Sequence, residues 1–360
     1  MRSLCSQSLR PWGHSEWQRQ PRKSSGASPL LGAALGLVGL GLGLGLGLAG
    51  CDNSAPQAQV QWTDAVDGQT LTTFTKESPF HLKLSPQRTE TALPAAALQV
   101  APLAVSDQEY GVRLYAALPS DPLWSIDFAD FNHAHDVWNQ ASPFVVRGPR
   151  GMTAPVGTDG TIILVDEAQQ LAYEMWQFAP AVSGQRAFAQ SANIVDLRTS
   201  GIHRNVGVSA AGLPGLGGLL RASEMRSAAP IRHKLWLAIH PSLLHAAFTW
   251  PASQVDVPKS GASALLRYGD VVALRSDVDP MQTCQLSKAV QKVATALRDY
   301  GGLVMDQGGD AVGVVAEVDS FSTQVDVPEA QMYAELACLR PLLTRVENPW
   351  DGAVPGGLGF

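Results

Sequence analysis

The sequence predicts a mainly β domain, a β-sandwich or jelly roll with two or three added helices. Three observations carry that expectation. Strand-length runs rich in Val, Ile, Leu and aromatic residues recur from about Asp121 onward. The clearest helical periodicity lies in the C-terminal third. Strands and helices do not alternate regularly, and no internal repeat is visible, so a parallel βαβ architecture has no support.

Residues 52 to about 118 are rich in Ala, Pro, Gln, Thr and Ser, and their first part reads as a tether. The short pieces QTLTTFT (69–75) and FHLKL (80–84) are expected to pack onto the domain as β segments. SPFVVRG, GTIILVDE, QLAYEMWQF and RHKLWLAI then read as strands, with Asp166 to Gln170 joining two of them in a hairpin. AAGLPGLGGLL (210–220) sets Gly and Pro in an apolar stretch. It lacks the GK[ST] ending of a phosphate loop, so its glycines point to close backbone approach instead. RASEMR gives one helical turn. In IRHKLWLAIH, Ile231, His233, Leu235, Leu237 and Ile239 share one strand face, and Arg232, Lys234, Trp236, Ala238 and His240 the other.

From Thr283 to Tyr300, Leu286, Val290, Val293 and Leu297 make one apolar helix stripe, which Gly301-Gly302 ends. LVMDQGGDAVGVVAEV predicts a hairpin turning at Gly308-Gly309. PEAQMYAELACLR predicts a last helix that brings Cys338 to the domain.

The N-terminus carries an address. An uncharged apolar run from Pro29 to Gly50 follows five basic residues and one acid, Glu16. About 20 apolar residues can span a bilayer, but alternate glycines from Gly41 to Gly47 weaken a durable helix. A basic region, an apolar region and a small-residue end make a secretory signal. Leu48-Ala49-Gly50-Cys51 looks like a lipobox, the bacterial lipoprotein signal, in which the chain is cut before the cysteine and the Cys51 thiol is lipidated. A plain signal peptide or a membrane anchor with a chance cysteine is the alternative. Asp52 resembles an inner-membrane retention signal. The expected organisation is a signal peptide at 1–50, a tether with N-terminal β segments at 51–118, a β-sandwich with C-terminal helices at 119–345, and a tail at 346–360.

The whole chain has a formal charge of −6; the leader contributes +4, leaving −10 for the processed chain. An acidic chain without a basic run excludes nucleic acid as the expected partner. Cys284 and Cys338 are the two cysteines left after Cys5 and Cys51; in an oxidising compartment they can pair, the alternative being two buried thiols. No CxxC, HExxH or Cys/His cluster is present, so no metal or cofactor is expected. His133 and His135 alternate in NHAHDVW but lack an identified third ligand.

The blocks DGTIILVDEAQQLAYEMW, NIVDLRTSG, SAAGLPGLGGLLRASEM, IRHKLWLAI, FTWPA and ALRDYGGLVMDQGG resemble, in order, those of a scattered family of secreted bacterial proteins of unassigned activity. That family reads as a Ser-Asp-Arg-His strand leading to Val-Asp, a Tyr-Glu-Leu return strand, Asp-Leu-Arg-Ser, Ala-Gly-Leu-Pro, a helix, Ile-Asp-His-Ala-Leu and Tyr-Gly-Met with an Asp-rich turn. The resemblance covers roughly Asp121 to Val318 and implies an exported, β-rich, carbohydrate-directed protein. It carries over Asp159, Asp166, Glu174, Asp196, Arg198 and His233. Thr161 stands where the family strand has His, and Arg232 where it has Asp beside the later His, so chemistry carried by those two is missing here.

The catalytic candidates are Asp166, Glu174, Asp196, Arg198 and His233. Glycoside hydrolysis needs two carboxylates about 5 to 10 Å apart; Asp166 with Glu174 or Asp196 is such a pair in prospect. A polysaccharide lyase would use Arg198 as neutraliser and His233 as base. Each has a plainer reading: Asp166 as a turn residue, Asp196 and Arg198 as an ion pair, His233 as a hydrogen-bonded core residue. Trp176, Trp236 and Trp250 are candidate stacking platforms for sugars. The functional expectation is a lipid-anchored extracytoplasmic protein that contacts polysaccharide, by binding or cleavage. The alternative is a non-catalytic envelope lipoprotein that binds a protein partner or the wall.

Overall fold

The computed structural model describes residues 59–63, 70–99, 102–130, 142–203, 207–255, 264–310, 312–323 and 327–350. The leader, Cys51, and the His133 and His135 segment lie outside them. In chain order the first strands are β1 (Gln59–Thr63), β2 (Thr70–Thr75), β3 (Glu90–Ala92), β4 (Leu103–Ser106), β5 (Arg113–Ala116) and β6 (Leu123–Asp130). Next come β7 (Phe144–Arg147), β8 (Ile162–Asp166), β9 (Leu171–Trp176), β10 (Ala179–Pro180), β11 (Arg186–Asp196) and β12 (Leu235–Ile239). The last are β13 (Leu244–Phe248), β14 (Leu266–Tyr268), β15 (Val271–Leu274), β16 (Gly302–Gln307), β17 (Val312–Val315) and β18 (Leu343–Val346). The helices are α1 (Ala95–Leu98), α2 (Gly215–Gly218), α3 (Ala222–Arg226), α4 (Pro280–Thr283), α5 (Lys288–Asp299) and α6 (Glu329–Leu339). No described helix is long and apolar enough to cross a membrane.

The protein is mainly β, with two large mixed sheets in a sandwich-like arrangement and neither closed into a barrel. Sheet A runs β3-β18-β15-β16-β12-β17-β4, and sheet B runs β5-β8-β9-β11-β6-β7 with β10 beside β11. The central strands of sheet A (β15, β16, β12 and β17) are apolar runs buried on both faces, apart from Asp306 and Gln307 at the end of β16, as strands covered on both sides must be. α5 packs on β15 and α6 on β4.

Sheet B is folded over by its longest strand. β11 runs parallel to β6 through Arg186–Ser191 and antiparallel to β9 through Ser191–Asp196. The inner faces of β6 and β7 (Trp124, Ile126, Phe144, Val146) thus share a core with Ile162, Leu164, Tyr173 and Met175 of β8 and β9. The Phe144 and Tyr173 rings stack across it at 5.7 Å. The other face of β8 and β9 (Ile163, Val165, Ala172) belongs to the main core with sheet A.

The hairpin expected through Asp166 to Gln170 is present, with Leu171 paired to Asp166 and Gln170 at φ 58°. The hairpin expected around Gly308-Gly309 is not. β16 and β17 both exist, but β12 lies between them, parallel to one and antiparallel to the other. Leu235, Leu237 and Ile239 are fully buried and Trp236 nearly so, so β12 gains more from a central position than from an edge. The connection passes over its end, where the Gly308 N–H donates to the Ile239 carbonyl at 2.9 Å.

The strand expected over 231–240 begins only at Leu235, because the Lys234 N–H turns away to the Phe80 carbonyl at 2.7 Å. FHLKL is not a strand: Phe80 and Leu84 are buried from a turn and a loop. β segments of the stretch 51–118 belong to the sheets of the domain. β3 and β4 are the two edges of sheet A, β5 is an edge of sheet B, and Phe74 is fully buried.

The helix expected from Thr283 starts at Lys288, with Ser287 at its N-cap. Val290, Val293 and Leu297 point inward as expected, and Gly301 ends it at φ 73°. Thr283 to Leu286 are drawn out of it by two links to α6. Cys284 and Cys338 form a disulfide with a Cα separation of 6.0 Å. The Ser287 N–H and Oγ–H both donate to Glu335, at 2.7 and 2.6 Å. Cys284→Ala with Cys338→Ala is expected to lower the unfolding free energy by about 4 kcal/mol, since the bond closes a 54-residue loop. Urea titration checks it; a loss under about 1 kcal/mol would refute a major role for the bond.

Candidate functional site

The strand parity of sheet B decides where its carboxylates go. Asp166 and Asp196 both pair with Leu171 and so lie in one row, two strand spacings or about 10 Å apart. Glu174 follows Ala172 on the opposite face, toward sheet A. Each acid is engaged where it stands. Asp166, 3 % exposed, accepts from the Gln169 backbone N–H at 3.0 Å and its side-chain amide at 2.7 Å. Asp196 accepts from Arg198 through the backbone at 2.9 Å and twice through the guanidinium at 2.8 Å. Although burial opposes it, that partner holds the Asp196 carboxyl below its ordinary range.

Glu174 is fully buried and accepts the backbone N–H groups of Val208, Gly215 and Leu216 at 2.9, 3.0 and 2.9 Å. Burial pushes its carboxyl up and the three amides oppose the shift. The glycines that read as close-approach positions are such: a Cβ on Gly215 would lie 2.4 Å from the Trp236 ring, and one on Gly217 2.4 Å from Phe80.

His233 sits in a separate cluster. It is fully buried, with Nδ1 2.7 Å from the Lys234 carbonyl and Nε2 3.0 Å from Glu224 Oε1. Both ring nitrogens are thus engaged within the cluster. Arg221, fully buried, pairs with Glu224 at 3.1 Å, lies 3.0 Å from His233 Nε2 and donates to the Leu216 carbonyl at 2.7 Å. Burial works against the Glu224 carboxylate, but His233 and Arg221 outweigh it and hold its pKa down at about 2. His81, 3.1 Å from Thr73 Oγ1, is pushed down to about 3 by burial and by the cations of this cluster. Lys234 is pushed down to about 7 by burial.

Asp166, Glu174, Asp196 and His233 therefore do not converge on one cleft, which corrects the expected catalytic constellation. Sheet parity separates Glu174 from the two aspartates. His233 and Arg198 belong to different clusters, and each carboxylate is already engaged by turn, loop or guanidinium donors. Thr161 is buried at the start of β8, and Arg232 is exposed. Among the described residues no three His, Cys, Asp or Glu side chains are grouped to hold a metal ion.

The tryptophans divide differently. Trp236 is core, its indole N–H donating to Asp306 at 2.7 Å. Trp176 is half-buried and donates to Asp159. Trp250 lines a groove of about 730 Å³ built from the chain after β13, the turn between β14 and β15, and β18 with the residues following it. Its indole meets Trp350 edge to face, with centroids 5.2 Å apart at 78°. Beneath Trp350, the buried Lys234 ammonium lies 4.5 Å from the ring centre and donates to the Leu82 carbonyl. Two ion pairs complete the wall: Arg267 with Asp270 at 2.9 Å, and Arg345 with Glu347 at 2.7 Å. Hydrogen bonds from Arg345 and Thr91 hold the Glu347 carboxyl below its ordinary range. Gly269, at φ 87°, is required in the turn, because a Cβ there would lie 2.0 Å from the Thr249 carbonyl oxygen.

Sequence reasoning singled out Trp250 but missed Trp350, Arg267, Asp270, Arg345 and Glu347. The one local signal was Arg-Tyr-Gly-Asp (267–270), whose glycine and aspartate mark a turn that pairs its own ends. Arg221, Glu224 and His81 were missed as well. A groove with an aromatic corner and paired polar groups suits ligand binding, and both its acids are committed to guanidinium groups. No family model, no curated protein and no solved structure matches the chain.

The Glu224 cluster makes stability depend on acid. Below about pH 4.5 the unfolded chain takes up a proton at this position, while the folded chain holds out to about pH 2, so the stability it contributes is lost across that window. Glu224→Gln should be less stable by about 3 kcal/mol or more at pH 6 and should decline less steeply between those two values. Melting temperatures of both proteins against pH test this, and parallel curves would exclude Glu224 as the source.

Proposed function

We propose that this chain is an exported lipoprotein, tethered through Cys51, whose β domain binds carbohydrate in the groove bounded by Trp250 and Trp350. The observation that carries this reading is the aromatic corner beside two arginine–carboxylate pairs in one solvent-facing groove. Indole faces supply flat apolar area for the C–H face of a sugar ring. Guanidinium and carboxylate groups supply donors and acceptors for its hydroxyls. The dispersal and engagement of Asp166, Glu174, Asp196 and His233 favour binding over cleavage. Export draws on the leader pattern and the lipobox, and the Cys284–Cys338 disulfide is in keeping with an oxidising compartment.

A protein partner is the second reading. It is favoured by the outer face of β6, β7 and β11, where Leu123, Val145 and Phe188 are 55, 59 and 43 % exposed.

Thermal unfolding of the processed chain across a panel of bacterial, algal and plant polysaccharides tests the binding reading. A glycan at about 100 times its dissociation constant should add roughly 2.7 kcal/mol, a rise of several degrees. Trp250→Ala and Trp350→Ala should each cut the rise to about half, and a flat response across the panel would refute carbohydrate binding. In a bacterial host fed an alkyne-labelled fatty acid, the chain should become labelled and Cys51→Ser should not. Equal labelling of both would sink lipidation at this position.

A further inference from the structure

The charges of the groove cancel in place. Arg267 and Arg345 are the cations of its wall, and Asp270 and Glu347 the anions. Each arginine is bonded to the acid beside it, and Lys234 beneath Trp350 is fully buried and spent on the Leu82 carbonyl, so the wall itself offers no surplus positive charge to a carboxylate or sulfate. Arg345 is committed further, because its Nη1 donates to the Leu265 carbonyl at 3.1 Å. An anionic ligand entering here would meet two carboxylates at close range, and displacing either would leave its guanidinium to be re-solvated.

The pairs nevertheless stay open to hydroxyls. The Arg267 side chain is 45 % exposed, and it bonds Asp270 through Nη2 and Nε. This leaves Nη1 to donate outward. The Glu347 side chain is 44 % exposed; its Oε1 accepts from Arg345 and Thr91, and Oε2 remains to accept. A hydroxyl is donor and acceptor at once, so it can sit beside such a wall without breaking either pair. The two indoles stand at 78°, which offers one face for stacking and one edge to border the next ring.

We propose that the groove selects neutral polysaccharides, with Trp250 and Trp350 packing on sugar rings and Arg267 and Glu347 bonding their hydroxyls. This rests on the carbohydrate reading above and narrows it to one substrate class. Trp350 packs on the fully buried Lys234 side chain, so the platform is fixed before a ligand arrives.

The test is calorimetric titration of the full processed chain with two sets of probes. The neutral set is β-1,4-glucan, β-1,3-glucan, mannan and xylan oligosaccharides; the anionic set is oligogalacturonate, alginate and chondroitin sulfate. The expected result is binding within the neutral set, unchanged between about 50 and about 500 mM salt, where exposed charge–charge attraction would fade. Trp350→Ala should weaken it about tenfold, and Glu347→Gln should weaken it without altering near-ultraviolet circular dichroism. Binding confined to the anionic set, or fading with salt, would overturn the neutral assignment while leaving the carbohydrate reading intact. Neutral binding indifferent to both substitutions would place the ligand elsewhere and overturn the proposal. No binding to either set would overturn the carbohydrate reading and this inference together.

Discussion

A fully buried acid, Glu174, accepts three backbone N–H groups from one loop. That loop, from Val208 to Leu220, is the filling between the two sheets: its leucines are buried in the main core with residues of both. α2 is a single turn of four residues without a side-chain cap, and so short a helix has no stability of its own. Its first N–H groups need an acceptor, and an unpaired buried donor costs about 1–3 kcal/mol. Glu174 supplies acceptors for two of them and for Val208 as well. With the loop so placed, Gly215 and Gly218 close against Trp236, and Trp236 is anchored by Asp306 at the other end of its indole.

The charged cluster hangs from the same loop. Arg221 follows α2 directly and returns to it through the Leu216 carbonyl. Its guanidinium and His233 converge on Glu224, and Lys292 closes the far side by donating to the Glu224 and Ser227 carbonyls. Burying charges is expensive unless partners are present, and here the Glu224 carboxylate faces both the Arg221 guanidinium and the His233 ring. Lys234, next to His233 in the chain, carries the order outward to Trp350 and the groove. The loop between the sheets and the aromatic corner at the surface are thus linked by contiguous polar contacts.

This arrangement explains why the acids that looked catalytic do not behave as a site. In sheet B successive side chains alternate faces, so Asp166 and Glu174 were separated once their strands paired. His233 had the environment of a base only on paper, because both of its nitrogens are used by Glu224 and the Lys234 carbonyl. The groove, by contrast, draws on three stretches that no local pattern connects. Trp250 and Trp350 are a hundred residues apart; Trp250 follows β13, which pairs with β14, and Trp350 follows β18, which pairs with β15.

What the sequence by itself determined is what short-range chemistry encodes. The β8–β9 hairpin follows from turn residues, the inward stripe of α5 from its period, the stop at Gly301 from its conformational freedom, and the tight fit of Gly215 to Gly218 from the lack of side chains. Only the tertiary structure decided which strands became neighbours. β12 was inserted between β16 and β17 where a hairpin looked sufficient, and β3, β4 and β5, within the stretch expected as a tether with N-terminal β segments, became the edges of the two large sheets. The physical reason is common to both. A strand's partner is chosen by how much apolar surface the whole assembly buries and by which backbone groups remain to be satisfied, and neither quantity can be read within a window of ten residues.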